Sequence, residues 1–342
     1  LADKLASGAV PNQSAFKNII INGDMSQSQR GTSFSSQTAE HFVVDRFKMF
    51  VNGAMGTWTT SQSTTVPTGQ GFAKSLKMDC TTADASPAST DILSVQQRFE
   101  GQNLQYLKKG TSSAESLTAS FWVRSNKTGT YIAELEDRDN TRYVSQSYTI
   151  SSADTWEKKT VTFPGDTSGA FTNDNGESLR LNFWLGGGAT WTSGTLGTTW
   201  HTTSANRAVG QVNLADSTSN EWYITGVQLE AGSVASDFEF LPADVSLERC
   251  NRYFQIIDAE YFVVARWNND TGAAIAQLTF PKTMRAAPTI TFPGTWSTGS
   301  GYAGTPTANN IQPKCFAVTG ADIGANQIEY AHSGNFQMDA EL

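Results

Sequence analysis

Two tryptophans stand where the polar side of a strand belongs. In residues 117–124, Leu117, Ala119, Phe121 and Val123 form one alternating apolar set, and Trp122 falls with Thr118, Ser120 and Arg124 on the other side. In residues 179–185 the apolar set is Leu179, Leu181, Phe183 and Leu185, and Trp184 falls beside Arg180 and Asn182. An indole ring covers the apolar face of a sugar, while guanidinium and amide groups take its hydroxyls. Trp122, Arg124, Arg180, Asn182 and Trp184 are therefore the candidate ligand-binding set, and a saccharide is the ligand their chemistry suits. Two other arrangements account for the same tryptophans. They could be covered by the aperiodic stretch 186–207, or buried at a subunit interface, where Trp is enriched.

Catalysis has little to stand on. His41, His201 and His332 lie far apart with no Ser or Cys motif beside them. The sequence has no Gly-x-Ser-x-Gly elbow, phosphate loop or zincin motif. Glu134/Glu136 and Asp137/Asp139 are spaced to share a strand face, as a glycosidase's carboxylates could. Hairpin ends commonly carry solvated carboxylates, and that is the expectation here. No enzymatic activity is expected.

The elements that must position these side chains are strands. Ile19-Ile20-Ile21 is an apolar β-branched run that fits a strand buried on both faces. Asn22-Gly23 stops it, because that pair supplies the positive φ of a tight turn. Residues 42–51 read as one or two strands, and 75–80 as another. Residues 92–107 are either a strand or, near 103–107, a short helical turn. Residues 131–136 and 142–150 form a hairpin around Asp137-Arg138-Asp139-Asn140, and 157–163 is a strand stopped by Pro164-Gly165. Residues 186–207 form a long excursion carrying Trp191, Trp200 and His201. Residues 222–232 close what 18–25 open. Strands at this spacing, without amphipathic helices between them, predict an antiparallel β-sandwich over 17–242. Residues 1–16 form an arm or the end of a stalk. Residues 243–247 link to a second, smaller β-sandwich over 243–342.

Composition narrows the class. The chain has 342 residues, enough for two domains, and a net charge of -8, which argues against a nucleic-acid partner. No apolar run approaches the ~20 residues that span a bilayer, so no membrane insertion is expected. Cys80, Cys250 and Cys315 have no metal-ligand spacing and read as small apolar residues of a chain folded under reducing conditions. No signal peptide is read at the start. Leu1 in place of Met leads to the expectation of a fragment or processed product. Phe336, Met338, Ala340 and Leu342 alternate to the last residue, which leads to the expectation of a packed, true C-terminus.

The motifs carry a resemblance. Residues 18–24 with Gln29-Arg30-Gly31, Asp45-Arg46-Phe47, Ser120-Phe121-Trp122-Val123 and Val227-Gln228-Leu229-Glu230-Ala231-Gly232 resemble a pattern of tailed-phage fibre and appendage proteins. The pattern is similar, more loosely, to jelly-roll carbohydrate-binding modules. Cys250-Asn251-Arg252-Tyr253-Phe254 and Met284-Arg285-Ala286-Ala287-Pro288-Thr289 resemble the next unit of the same phage proteins, and Leu1-Ala2-Asp3 with Gly8-Ala9-Val10 resembles a shaft repeat. The resemblance implies an all-β chain, an antiparallel jelly-roll followed by a smaller sandwich. It implies a virion structural protein, assembled in the host cytoplasm and exposed on the particle. Its partners would be itself, as a homotrimer, other virion proteins and a host-surface glycan. The alternative reading is a carbohydrate-binding module or polysaccharide depolymerase. Jelly-roll modules of this sort hold a structural calcium near their opening and closing strands, and Asn22, Asp24, Glu230 and Asp237 are the candidate ligands. No other cofactor is expected. The unit 243–342 is short, and Tyr261-Phe262-Val263-Val264 and Ala273-Ala274-Ile275-Ala276 lack a polar face, so cover from other subunits is expected there.

Overall fold

A computed structural model of the chain describes residues 16–265, 275–297, 307–319 and 328–342, with side chains described except at 258–265, 275–276, 295–297, 319 and 328–334. Contacts divide the chain into two units, Leu1–Pro242 and Ala243–Leu342. Among the described residues no helix is long and apolar enough to cross a membrane.

Unit 1 contains β1 (Ser33–Gln37), β2 (His41–Val44), β3 (Phe47–Asn52), β4 (Thr57–Ser63), β5 (Ser75–Thr82), β6 (Ile92–Glu100), β7 (Leu117–Ser125), β8 (Gly129–Asp137), β9 (Arg142–Ile150), β10 (Glu157–Phe163), β11 (Glu177–Gly187) and β12 (Glu221–Ala231). They form two antiparallel sheets. Sheet I runs β1-β4-β5-β12-β7-β10 and sheet II runs β2-β3-β6-β11-β8-β9. The result is a jelly-roll sandwich. Its core is made by the inward residues of both sheets, among them Trp58, Phe121, Phe163, Phe183, Leu229 and Trp222. Phe121 packs edge-on against both Tyr148 and Phe183, which ties β7 of sheet I to β9 and β11 of sheet II.

β1 and β4 lie in a Thr- and Ser-rich stretch that gives no clean apolar alternation. In β4 the inward residues are Trp58 and Thr60, and a core-facing threonine hides the period. Residues 92–107 resolve into β6 followed by 3₁₀ turns at Gly101–Asn103 and Gln105–Leu107.

In the Ile19-Ile20-Ile21 run Ile20 and Ile21 are buried and Ile19 half-buried, but the run is not a ladder strand. β5 pairs with β12 only from Glu221 to Ile224, and the opening segment fills the place beyond. Ile19 N donates to Leu229 O at 2.9 Å, and Val227 N donates to Gly23 O at 2.9 Å. Between them side chains replace backbone partners. Asn18 Oδ1 accepts from Ile20 N and Leu229 N, both at 3.0 Å, and Gln97 of β6 takes both backbone groups of Ile21, at 2.8 and 2.9 Å. The run therefore bonds to both sheets at once. Asn22, not Gly23, supplies the positive φ, at 62°. Gly23 is needed for space, because a Cβ there would lie 2.1 Å from Val227 O.

The chain enters and leaves unit 1 at one place. Glu239 accepts from Phe16 N at 2.7 Å and from Asn18 N at 3.0 Å, and Lys17 Nζ donates to Asp237 O at 3.2 Å. Residues 1–15, read above as the arm, lie outside the described residues.

Helix α1 (Ala189–Thr192) is a single turn in the excursion, and α2 (Ala243–Asn251) opens unit 2 where the sequence suggested a plain linker. Asp244 in its first turn and Arg249 in its last suit the helix dipole. β13 (Phe254–Ala265), β14 (Ile275–Thr279), β15 (Thr289–Thr291), β16 (Gly294–Ser297), β17 (Thr307–Asn309), β18 (Cys315–Thr319) and β19 (Ile328–Asp339) follow. One sheet runs β13-β19-β15 with β16 also on β19, and the other runs β14-β18-β17. Phe316 and Val318 from one sheet and Phe336 and Met338 from the other share a core with Phe280, Met284 and Ala340. Leu342 is only half-buried. The apolar side chains expected to need outside cover, at 261–264 and 273–276, lie outside the described residues. Cys80 and Cys250 are buried and Cys315 is half-buried, and none of the three is in a disulfide.

Candidate functional site: a groove across sheet II

Ladder register aligns the outward side chains of sheet II into rows crossing five strands. Phe50 of β3, Ser94 of β6, Trp184 of β11, Ile132 of β8 and Ser147 of β9 make one row. Lys48, Gln96, Asn182, Glu134 and Ser145 make the next, and Arg98, Arg180, Glu136 and Tyr143 a third. Residues directly opposite on one face lie close enough to interact. A groove of about 260 Å³ lies over these rows, lined by Phe50, Gln96, Glu136, Arg180, Asn182 and Trp184 among others.

The excursion closes one end. It pairs with edge strand β9, where Tyr143 N donates to His201 O at 2.8 Å and Ser145 N to Gly197 O at 2.8 Å. This covers an otherwise open sheet edge. It also delivers Arg207 to the groove. The guanidinium lies over Tyr143 at 4.0 Å, with Trp184 and Trp191 at 5.3 and 5.4 Å. Its Nε donates to Glu134 Oε1 at 2.7 Å, and Nη2 donates to Glu134 Oε2 at 2.9 Å and Glu136 Oε2 at 3.0 Å.

Glu134 and Glu136 anchor the whole arrangement. Glu134 Oε2 also accepts from Asn182 Nδ2 at 2.9 Å and Trp184 Nε1 at 3.0 Å. Glu136 accepts from Arg138 Nη1 at 2.5 Å and Arg180 Nη1 at 3.4 Å. Burial works to raise the Glu136 carboxyl, but Arg207, Arg180 and Arg138 outweigh it and hold it down at about 2. Burial likewise opposes the charge on Arg207, and Glu134 with Glu136 overrides it upward. These carboxylates are not the solvated hairpin pair expected from spacing. Both are buried, and the ladder points them into a cluster of guanidiniums that favours the ionised form of Glu136.

Two polar atoms in the groove have no partner among the described residues: Gln96 Nε2 and Asn182 Oδ1. Their orientation is fixed from the other end of each amide. Gln96 Oε1 accepts from Arg98 Nε at 2.9 Å, and Asn182 Nδ2 is held by Glu134. Gln96 is 1% exposed and Asn182 3%.

The five-residue candidate set does not form one site. Trp122 and Arg124 are on β7 in sheet I, and Arg180, Asn182 and Trp184 are on β11 in sheet II. The polar side of each strand is the outer face of its own sheet, and the two outer faces point apart. Trp122 pairs across the ladder with Lys158 and Thr225. Arg124 is held by Asp154 at 2.8 Å and Glu221 at 3.1 Å, over the Tyr223 ring. Trp184 is not an exposed platform. It is 1% exposed, with the excursion's Trp191 ring 6.3 Å away and Arg207 over its face. Burial beneath 186–207, the competing arrangement, is what the structure shows.

Arg207 stands at the end of an aperiodic stretch, where no pattern marks it as a functional residue. Glu134 and Glu136 were visible as a pair, and the alternation Ile132, Glu134, Glu136 against Tyr131, Ala133, Leu135 would have placed them on the outer face.

The four candidate calcium ligands fall in two groups, Asn22 and Asp24 in the opening turn, and Glu230 and Asp237, which share Gln228 Nε2 and Ser236 Oγ as donors. Asn22 Oδ1 accepts from Gln27 N at 2.8 Å and its Nδ2 donates to Asp45 O at 2.9 Å. Asp24 Oδ1 accepts from Ser26 Oγ at 3.0 Å. Glu230 accepts from Gln228 Nε2 at 2.8 Å and Ser236 N at 2.8 Å, and Asp237 contributes its backbone oxygen to Lys17. Among the described residues no group of three or more His, Cys, Asp or Glu side chains is placed to hold a metal.

No protein-family model matches the sequence, and no curated protein matches it. Among solved structures, the chain is similar to the enzymatically active domain of tailspike protein 4 from bacteriophage CBA120, at 13% identity and TM-score 0.34, over 63% of this chain and 21% of that one. It is also similar to a xylan-binding domain from Paenibacillus barcinonensis, at 19% identity and TM-score 0.29, over 54% and 91% of the two chains. A third is the N-terminal cellulose-binding domain of β-1,4-glucanase C from Cellulomonas fimi, at 11% identity and TM-score 0.29, over 62% and 95%. The chain thus spans 21% of the length of the tailspike domain.

Proposed function

We propose that unit 1 binds a saccharide chain in the groove of sheet II. The observation that carries this is the pair Gln96 Nε2 and Asn182 Oδ1, a donor and an acceptor left without partners in the groove. Leaving a buried polar group unpaired costs about 1–3 kcal/mol. Sugar hydroxyls both donate and accept, which are the two roles these atoms leave open. Phe50 and Ile92, half-buried along the groove, supply the apolar cover that a sugar ring takes. Titration calorimetry of the full chain against a panel of soluble polysaccharides tests this. Gln96→Ala is expected to weaken the best ligand at least about tenfold while the melting curve keeps its shape. Undiminished binding in that variant would move the site off sheet II.

We also read the chain as a virion component of a tailed phage, a fibre or appendage that meets host-surface glycan, on the order and spacing of the motifs at 18–31, 45–47, 120–123 and 227–232. A homotrimer with other virion proteins as neighbours belongs to this reading. Gold-labelled antibody against unit 2 is expected to mark intact particles, and unlabelled particles would count against it.

A depolymerase is the less suited alternative. Glycoside cleavage needs a carboxylic acid able to protonate the leaving oxygen. Glu136, ionised among three arginines, has no proton to give at neutral pH.

A further inference from the structure

Beyond the open acceptor Asn182 Oδ1, what the groove offers an incoming ligand is mainly donors. Glu134 and Glu136 are present, but their oxygens are already used. Arg207, Asn182 and Trp184 converge on Glu134, and Arg207, Arg180 and Arg138 converge on Glu136. A carboxylate is an acceptor only, and these two spend that capacity inside the protein. Arg138 is in the opposite position. Its side chain is 45% exposed, it lines the groove, and of its planar fork it gives Nη1 to Glu136. The Gln96 amide adds a donor without a partner.

Charge points the same way. The chain as a whole is acidic, with 32 Asp and Glu against 24 Lys and Arg. The groove face reverses this. Lys48, Arg98, Arg138, Arg180 and Arg207 gather there with Glu40, Glu134, Glu136 and Glu177 as their ion-pair partners, five cations to four anions. Burial and then the neighbouring Arg180 charge push Arg98 below its ordinary range, so like charges are crowded along this row.

We propose that the saccharide taken by this groove is anionic, carrying carboxylate or sulfate groups that pair with the Arg138 fork. A guanidinium matches a planar oxyanion with two parallel hydrogen bonds, and a neutral sugar offers no such partner. This rests on the groove reading above, and the test separates the two.

The full chain is titrated with polymers paired by charge: polygalacturonate with its methyl ester, hyaluronate with its carboxyl-reduced form, and dextran sulfate with dextran. At least one acidic member is expected to bind at least about tenfold tighter than its neutral partner, and to weaken as salt rises. The carboxylate and sulfate arms identify which anion is taken. Arg138→Gln is expected to abolish that preference. Lys158→Gln, at an exposed cation on sheet I, is expected to leave it intact. Arg138 is exposed enough that its loss keeps the fold, and the melting temperature verifies this. Equal loss in both variants means diffuse charge attraction and overturns the proposal. Neutral polymers bound as tightly as acidic ones, and sensitive to Gln96→Ala, overturn the anionic class and leave the groove reading standing. No binding by any polymer overturns both.

Discussion

Arg207 grips Glu134 as a fork, with Nε 2.7 Å from Oε1 and Nη2 2.9 Å from Oε2. Glu134 sits in mid-strand and Arg207 in a loop more than seventy residues later, so this pair is the bolt that holds the excursion onto sheet II. Removing one partner of a buried ion pair leaves the other charged and dry, which costs about 3–5 kcal/mol. Arg207→Met is expected to lower unfolding free energy by that amount in urea. The double variant Arg207→Met/Glu134→Gln is expected to recover part of it. A single variant as stable as the parent would show that Glu134 is solvated.

Acid should loosen the same cluster. Glu136 has its ordinary value of 4.5 when unfolded and about 2 when folded. The folded state therefore favours its ionised form. The stabilisation is complete above about pH 4.5 and is lost as pH falls toward 2, with a magnitude of about 3 kcal/mol. Asp45 works in the other direction, since burial raises its carboxyl and protonation there favours the fold. Thermal melts across this range are expected to fall steeply in the parent. In Glu136→Gln the fall is expected to be shallower from a lower starting point. Parallel slopes in the two proteins would remove Glu136 as the cause.

The opening segment should tolerate little. Ile20 is 1% exposed between the sheets, and Ile20→Asp would bury a charge with nothing to pair it. A loss of several kcal/mol is expected, read as insoluble or non-cooperatively melting protein. Gly23→Ala is a milder probe, because its Cβ would press on Val227 O. A loss of about 1–3 kcal/mol is expected. Native melting in Ile20→Asp would show that the segment does not lie in the core.

Light scattering tests the oligomer. The intact chain is expected to run at three times its 36.9 kDa mass. Deleting Ala243–Leu342 is expected to leave a monomer. A trimeric remnant would move the association to unit 1, and a monomeric intact chain at micromolar concentration would remove the fibre reading's main support.

What the sequence made legible follows from where a side chain's neighbours come from. Strands such as β7 and β11 announce themselves, because alternating burial is set within the strand. The resemblance motifs also proved mutually bonded. Asn22 reaches Asp45 O, and Asp45 in turn accepts from Gln29 N at 3.0 Å and Gln29 Nε2 at 2.8 Å. Three separated stretches are thus one knot, whose residues are fixed by mutual hydrogen bonding. The groove was harder to see. Trp122 and Trp184 carry the same local pattern, yet only topology says that they face opposite ways. Arg207 reaches Glu134 by a loop whose path no periodicity encodes. Gln96 looks like any strand glutamine until Asn182 is placed beside it.

The meeting of Phe16 and Asn18 with Glu239 has a mechanical consequence. Residues 16–18 and Glu239 are bonded to each other, so the sandwich is closed where its two ends meet. Tension applied along the chain is borne first by the Glu239 and Lys17 hydrogen bonds, and the sheets lie outside the load path until those give way. A sandwich whose ends already lie together is a piece that can be moved into a loop of another protein, since its two junctions fall side by side.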